Sequence, residues 1–231
     1  MRLLDFEVKL LDNPIVEAYI GEYASGKSEV AVNRALWLKG QDRKVTLADL
    51  DIVEPFYTLR PIKKHLEEKG ITVLAWETKK TMGLGEAGNI IKPELRWVLK
   101  REGDIILDIG YGVEGAKTLN LVYGADNHQF LKVIAVLNCS RPMTSTLEDI
   151  VEFVKELGRV DGLVNNTHLG DDTDLDTIQH GAELVAKASK MLGIPIIATT
   201  AMDRFRISLG ETDCAGNPVF YIKRYMPHTF W

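Results

Sequence analysis

The chain has 231 residues, 45% of them hydrophobic and 26% charged, with a formal net charge of −5 at pH 7. That balance suits a protein with a sizeable core, arranged as one large α/β domain or two small ones. An acidic sum argues against a general nucleic-acid-binding surface, which is normally basic.

Cys139 and Cys214 lie far apart without C-x-x-C spacing, which offers neither a zinc site nor a disulfide framework, so a reducing compartment is expected. The opening MRLLDFEVKLLDNP carries Asp5, Glu7 and Lys9 inside its apolar run and lacks a signal-peptide core. No apolar run approaches the roughly 20 residues of a membrane span. A cytoplasmic protein with no membrane or nucleic-acid partner is the expectation.

In chain order, IVEAYI (15–20), KVTLADL (44–50), ITVLAW (71–76), DIILDI (104–109), KVIAVLN (132–138), GLVNN (162–166) and IPIIATT (194–200) read as strands. Several are continuous β-branched runs, as in parallel strands buried on both faces. Between them SEVAVNRALWLKG, IKPELRWVLKREG, MTSTLEDIVEFVKELG and DLDTIQHGAELVAKASKMLG read as helices ending at glycine. Leu147, Ile150, Val151, Val154 and Leu157 fall at helical spacing, which gives that helix one sheet-facing side. Repeated β-α units imply a three-layer α/β/α doubly wound, mostly parallel sheet of about seven strands. No linker or repeat period interrupts residues 1–231, so a single domain is expected. The tail NPVFYIKRYMPHTFW breaks the pattern, and VFYIKRYM is expected to pair with RFRISLG (204–210) as a C-terminal hairpin.

Between the first strand and first helix stands GEYASGKS, which fits G-x-x-x-x-G-K-[ST] in its required strand-to-helix setting. Gly21, Glu22, Tyr23, Ala24, Ser25, Gly26, Lys27, Ser28 and Glu29 are therefore the candidate nucleotide-binding run. Glycines let the backbone bend around a phosphate so that successive N–H groups point inward, and the helix start adds its own unpaired N–H groups. Lys27 would reach the β- and γ-phosphates and the Ser28 hydroxyl would ligate Mg²⁺. The plain alternative is a glycine-rich turn with a capping serine and a solvent lysine.

Two strand ends supply carboxylates. Asp108 closes DIILD before Gly110 and Gly112, a Walker-B arrangement aimed at the metal from the strand end where α/β sheets bind ligands. Asp49 and Asp51 in LADLDIVEP leave the second strand as an i, i+2 pair whose side chains share a direction in extended backbone. One could hold the metal's water shell and the other orient an attacking water, with Asp51 favoured for the latter. A strand-terminal cap and an ordinary turn before proline are the competing uses.

Read together, GEYASGKS, KVTLADLDIVEP, IILDIGYG, VIAVLNCSRPMTSTLEDIVEFVKEL and GLVNNTHLG resemble, in order, the SIMIBI-class MinD/ParA-like P-loop ATPases. Dethiobiotin synthetase, nitrogenase iron protein and the nucleotide-binding domain of cobyrinic acid a,c-diamide synthase share that superfamily, and a stand-alone, little-characterised branch is the nearest likeness. The correspondence covers roughly residues 15–200. It implies that Asp51 positions the hydrolytic water, that Asp108 is the Walker-B aspartate, and that Asn166 binds the adenine edge. An asparagine side chain offers donor and acceptor together, although a turn asparagine before THLGDDTD would look the same.

The resemblance further implies ATP as ligand or substrate, Mg²⁺, and a homodimer in which a second loop lysine crosses to the partner's phosphates. Here Glu22 holds that lysine's position, and a carboxylate is repelled by phosphate, which puts the trans-lysine mechanism in question. Three activities follow from the motifs: a slow or partner-stimulated ATPase acting as a nucleotide switch, with catalytic Lys27 and Asp51 and metal ligands Ser28, Asp49, Asp51 and Asp108; an ATP-dependent enzyme that activates a carboxylate for amidation or ring closure; and a nucleotide-bound adaptor without turnover. No N-K-x-D pattern follows the sixth strand, which favours ATP over GTP.

The remaining residues carry weaker signals. His65, His128, His168, His180 and His228 are scattered and are expected at the surface or in caps. Arg141 follows the fifth strand on the ligand side and could touch nucleotide or partner. KKTMGLGEAGN (79–89) is either a partner-sensing loop or a plain connection. Trp37, Trp76 and Trp97 sit in apolar patterns and are expected in the core.

Overall fold

A computed structural model describes residues 13–51, 59–75 and 92–226. The glycine-rich loop at 79–89, Trp76, His228 and the end of the chain lie outside them.

Eight strands form one sheet: β1 (Val16–Gly21), β2 (Val45–Leu50), β3 (Thr72–Leu74), β4 (Asp104–Ile109), β5 (Leu131–Leu137), β6 (Gly162–Asn165), β7 (Ile196–Met202) and β8 (Val219–Ile222). Their order is β3-β2-β4-β1-β5-β6-β7-β8, and every neighbouring pair is parallel. The helices are α1 (Lys27–Lys39), α2 (Lys63–Glu68), α3 (Pro93–Arg96), α4 (Gly112–Ala116), α5 (Leu147–Glu156), α6 (Leu175–Leu192) and α7 (Arg206–Leu209).

The continuous apolar strands are buried on both faces, as a parallel sheet between helical layers requires. One core joins Ala18, Ile20, Leu107, Ile109 and Ala135 to Ile150 and Val154 of α5 and Val185 of α6. The other joins Tyr19, Leu47, Ile106 and Val136 to Val30, Ala31 and Leu38 of α1 and Leu66 of α2. Thr146 caps α5 by accepting the Asp149 N–H while the Asp149 carboxylate accepts the Thr146 N–H, so the sequence's periodic segment becomes helical where expected.

Three expectations are corrected. The stretch IKPELRWVLKREG makes only the short α3 and a 3₁₀ turn, Val98–Lys100. Its ladder is interrupted because the Arg96 carbonyl accepts from the Tyr123 N–H. Trp97 lies against Tyr123 at 4.3 Å between ring centroids with the Lys100 ammonium over both rings, and both Trp97 and Trp37 are exposed rather than in the core.

The C-terminal hairpin is absent. Residues 203–209 form a 3₁₀ turn and α7, and β8 pairs parallel with β7. The Asp213 carboxylate organises the connection by accepting from the Ala215 and Asn217 N–H groups and the Thr199 hydroxyl, so only one antiparallel bridge, Thr212 to Pro218, forms there.

At the amino end of the sheet Asp104, 1% exposed, accepts from the Ile15 N–H at 2.9 Å and the Arg43 guanidinium at 2.6 Å. Arg43→Met should destabilise the chain by roughly 3 kcal/mol, because the aspartate stays buried with its main cation removed. Urea unfolding measures this, and an unchanged midpoint would show the pair contributes nothing.

Candidate functional site

Strand alternation builds the site. Leu47 and Ile106 face the α1 side of the sheet, so Asp49 and Asp108, two residues further along β2 and β4, emerge on that same side. The two aspartates are register partners, and Tyr19 of β1 stands beside Asp108. The start of α1 lies above them, so Lys27, Ser28 and the carboxylates converge at the head of the central strands.

The loop leading to α1 has little freedom. A Cβ on Gly21 would meet the Val136 carbonyl at 2.5 Å, and Gly26 holds φ at 80°, so both positions demand glycine. The Ser25 N–H bonds the Glu22 carbonyl at 3.1 Å. Asn138, at the end of β5, donates to the Ala24 carbonyl at 3.3 Å and to the His168 carbonyl at 3.2 Å. Asn166, at the end of β6, donates to the Ser25 carbonyl at 2.7 Å and accepts from the Thr200 hydroxyl at 2.5 Å. Two loop carbonyls are thus fastened to the ends of β5 and β6, with Thr200 of β7 fixing Asn166 in turn.

Lys27 Nζ lies 3.8 Å from Asp51 Oδ2, and both residues are buried. Asp49 and Asp108 have no exposure at all. Asp49 accepts the Asp51 N–H with one oxygen at 3.0 Å, while its other oxygen and both Asp108 oxygens make no hydrogen bond of ordinary geometry among the described residues. Burial, then the Asp108 charge, pushes the Asp49 carboxyl up to about 7. Burial likewise pushes Asp108 up to about 6, against the pull of Lys27 and the Ser28 hydroxyl.

Orphaned buried carboxylate oxygens beside a serine hydroxyl are the donor set a hard cation takes. Among the described residues no three His, Cys, Asp or Glu side chains could hold a metal by themselves. That suits Mg²⁺, which is ordinarily held by one or two carboxylates, waters and substrate phosphates. The residues present therefore fit such an ion.

Glu22 turns away from the loop interior. Its carboxylate accepts the Tyr23 N–H at 2.8 Å, and its other oxygen lies 3.7 Å from where a Gly112 Cβ would stand. Tyr23 meets Tyr111 edge to face at 5.3 Å. Glu29, in the first turn of α1, accepts the N–H groups of Tyr225 at 2.6 Å and Met226 at 3.2 Å, and burial raises its pKa.

An open cleft of about 1060 Å³, counted to its solvent-facing mouth, runs from this loop toward β7 and β8. Tyr23, Ala24, Gly26, Lys27, Ser28, Glu29, Asp51 and Asn166 of the sequence-predicted set line it. Asp49 and Asp108 lie beneath it, and Gly21 and Ser25 are buried in the loop's base.

Sequence reasoning missed several contributors. His168 is half-buried in the cleft wall rather than a surface histidine. Its Nδ1 accepts the Gly170 N–H at 3.2 Å, and burial followed by the Arg141 and Arg224 charges lowers its pKa to about 4, so the ring is neutral. Arg60 sets a cation beside Asp49 and Asp51, with its Nε enclosed and unpartnered among the described residues. Asn138 carried a legible signal, since an apolar strand ending in asparagine occurs in both VLNCS and LVNN.

A parallel sheet whose central strand opens into a Gly-Lys-Ser turn, with carboxylates on the next two strands to one side, is the P-loop NTPase fold. The fold is similar to the signal recognition particle receptor FtsY from Elizabethkingia anophelis, at TM-score 0.56 and 15% identity, over 81% of this chain and 59% of that one. It is also similar to the cell division protein FtsY from Thermotoga maritima, at TM-score 0.52 and 18% identity, over 82% and 62%. A third similar structure, FlhF complexed with GTP and Mg²⁺, has TM-score 0.51 and 12% identity, over 80% and 64%. The chain spans less than two thirds of the length of each. These likenesses show the fold and do not single out the MinD/ParA branch. No family model and no curated protein sequence matches the chain. No helix among the described residues is long and apolar enough to cross a membrane.

The raised carboxyls make stability fall as pH rises. Unfolded aspartates lose their protons near 3.8, whereas folded Asp108 and Asp49 keep theirs to about 6 and about 7. Between those values the folded state binds more protons. Each tenfold gap in acidity between the folded and unfolded carboxyl therefore costs roughly 1.4 kcal/mol once the groups ionise. In the absence of metal and nucleotide, Tm should drop from pH 5 to pH 8, and Asp108→Asn should flatten the drop. A Tm that rises over that range would show that these carboxyls are ionised without penalty.

Proposed function

We propose that this chain binds ATP with Mg²⁺ and acts as a slow or partner-stimulated ATPase, a nucleotide switch of the MinD/ParA-like kind. The observation that carries the reading is the convergence of Lys27, Ser28 and the orphaned carboxylates of Asp49 and Asp108 beneath a loop whose carbonyls are tied down. Lys27 would hold the β- and γ-phosphates, and the loop N–H groups would take the remaining phosphate oxygens. Ser28, Asp108 and Asp49 would hold the Mg²⁺, which when bound neutralises charge on the phosphate oxygens. Asp51, held by Lys27 at the cleft wall, would orient the attacking water.

ATP is favoured over GTP because Asn166-Thr167-His168-Leu169 stands where N-K-x-D would be, and Leu169 puts an exposed apolar side chain at the position of its aspartate. Asn166 spends an N–H and its oxygen on Ser25 and Thr200, so its contribution to the base is through fixing the cleft wall or through its remaining N–H. Glu22 removes the second loop lysine, so a homodimer would need another cation across its interface.

At a hundredfold excess over Kd, Mg-ATP should stabilise the chain by about 2.7 kcal/mol, several degrees in Tm, and Lys27→Ala should abolish that gain. Equal melting with and without Mg-ATP in the wild type would count against the assignment, and a larger shift with Mg-GTP would transfer it to guanine. Asp51→Ala should keep the nucleotide-dependent Tm shift yet lose phosphate release by about a hundredfold or more. Unimpaired release by that variant would move the water-positioning role elsewhere.

A further inference from the structure

We infer that the nucleoside end of the cleft is walled by the chain's own C-terminal segment, Lys223–Met226, and that Asn33 and Glu29 of α1 hold this strap in place, so that base binding and strap docking are one event. The inference rests on reading the cleft as a nucleotide site and adds which element receives the base.

Three attachments define the strap. Asn33, 8% exposed, treats Lys223 as a strand neighbour would: its Oδ1 accepts the Lys223 N–H and its Nδ2 donates to the Lys223 carbonyl, both at 2.8 Å. Glu29, directly after Ser28, accepts the next two N–H groups, from Tyr225 and Met226. Arg224 pairs with Asp171 of the β6–α6 connection at 2.9 Å. Tyr225 also packs against the apolar core beneath α1. A segment beyond the last strand has its backbone N–H groups bonded to side chains of the helix that begins at the phosphate loop.

The strap's position decides its use. Lys27, Ser28 and Asp51 occupy the end of the cleft at β1, β2 and β4, so a nucleotide anchored there extends its nucleoside toward β6, β7 and β8. At that end Ile178, Met202, Ile222 and Met226 line the cleft. Apolar and thioether surfaces of this kind suit the faces of a flat heteroaromatic ring. Met226 belongs to the strap and reaches the cleft only while the strap is docked, and Ile222, the last residue of β8, stands at the point where the strap begins.

Glu29 also connects the two ends. Its carboxylate sits in the first turn of the phosphate-binding helix, where a second anion would repel it, yet both oxygens are committed to strap N–H groups. Undocking the strap would return a bare carboxylate to the cleft. Docking therefore both completes the base wall and gives the Glu29 carboxylate two N–H donors.

The test separates base from phosphate. The full-length chain is titrated calorimetrically in Mg²⁺ with ATP, GTP and inorganic tripolyphosphate, a probe that touches only the loop. Asn33→Ala should weaken the preferred nucleotide about tenfold, through loss of two hydrogen bonds, and leave tripolyphosphate affinity unchanged. In the wild type, hydrogen exchange at the Tyr225 and Met226 amides should slow on adding nucleotide and not on adding tripolyphosphate.

Equal weakening of both ligands would mean that α1 itself is deformed, and no weakening of either would mean that the strap takes no part; each result overturns the proposal. Should Asn33→Ala melt below the titration temperature, Tyr225→Ala, which removes the strap's packing on the α1 core without touching the loop, is read by the same nucleotide-to-tripolyphosphate ratio and decides alone. A wild type that takes up neither ligand removes the nucleotide reading and this one with it. A wild type that binds tripolyphosphate as tightly as nucleotide removes only the strap.

Discussion

Everything at the head of the sheet depends on two carboxylates placed where water cannot reach them. Asp49 and Asp108 are register partners on adjacent parallel strands, so their side chains leave the sheet on the same face and at the same height. A buried carboxylate with unsatisfied oxygens is costly, and here burial raises both groups toward neutrality. A core built for stability alone would put apolar residues at these positions, as it does two residues earlier with Leu47 and Ile106. Lys27 and the Ser28 hydroxyl pull on Asp108, and Arg60 and the Asp51 N–H on Asp49, without offsetting the burial.

The same economy explains the fastening of the loop. A backbone that presents N–H groups to an anion must not collapse on itself when the anion leaves, so its carbonyls have to be held from outside. Asn138 and Asn166 do this from β5 and β6, and Thr200 of β7 fixes Asn166 in turn. Three consecutive strand ends on one side of β1 therefore brace the loop, while the two strands on its other side, β4 and β2, supply the carboxylates. Bracing and chemistry are divided by the central strand.

Most of this division was legible in the sequence, because it rests on local patterns. Strand alternation placed Asp49 and Asp108, the glycine spacing placed the turn, and the helical period of α5 gave its buried face. What was not legible depended on partners distant in the chain. The α3 segment has helical composition, but the Tyr123 N–H takes the Arg96 carbonyl and stops it early. The tail looked like half of a hairpin because its turn residues are hairpin residues. Asp213 instead ties that turn to Thr199 of β7, and β8 aligns parallel. Asn166 was noticed for its donor and acceptor, but not that both would be turned toward protein. His168 gave no local signal because its enclosure comes from Arg141, Arg224 and the Gly26 backbone, three separate segments.

Glu22 and Glu29 flank the loop that the proposed reading gives to phosphates, where acidic side chains should repel such a ligand. Charge at a few ångströms matters only as far as it points inward and stays unsatisfied. Glu22 bends back on the Tyr23 N–H and toward Gly112, and Glu29 is occupied by the Tyr225 and Met226 amides. Glu22 is thus spent on an N–H of the loop itself and Glu29 on two N–H groups of the segment after β8. Under the proposed reading the interior would rely on the Lys27 ammonium, the helix N-terminus and the remaining loop amides, so that a chain of net negative charge could present a positive cradle at one point.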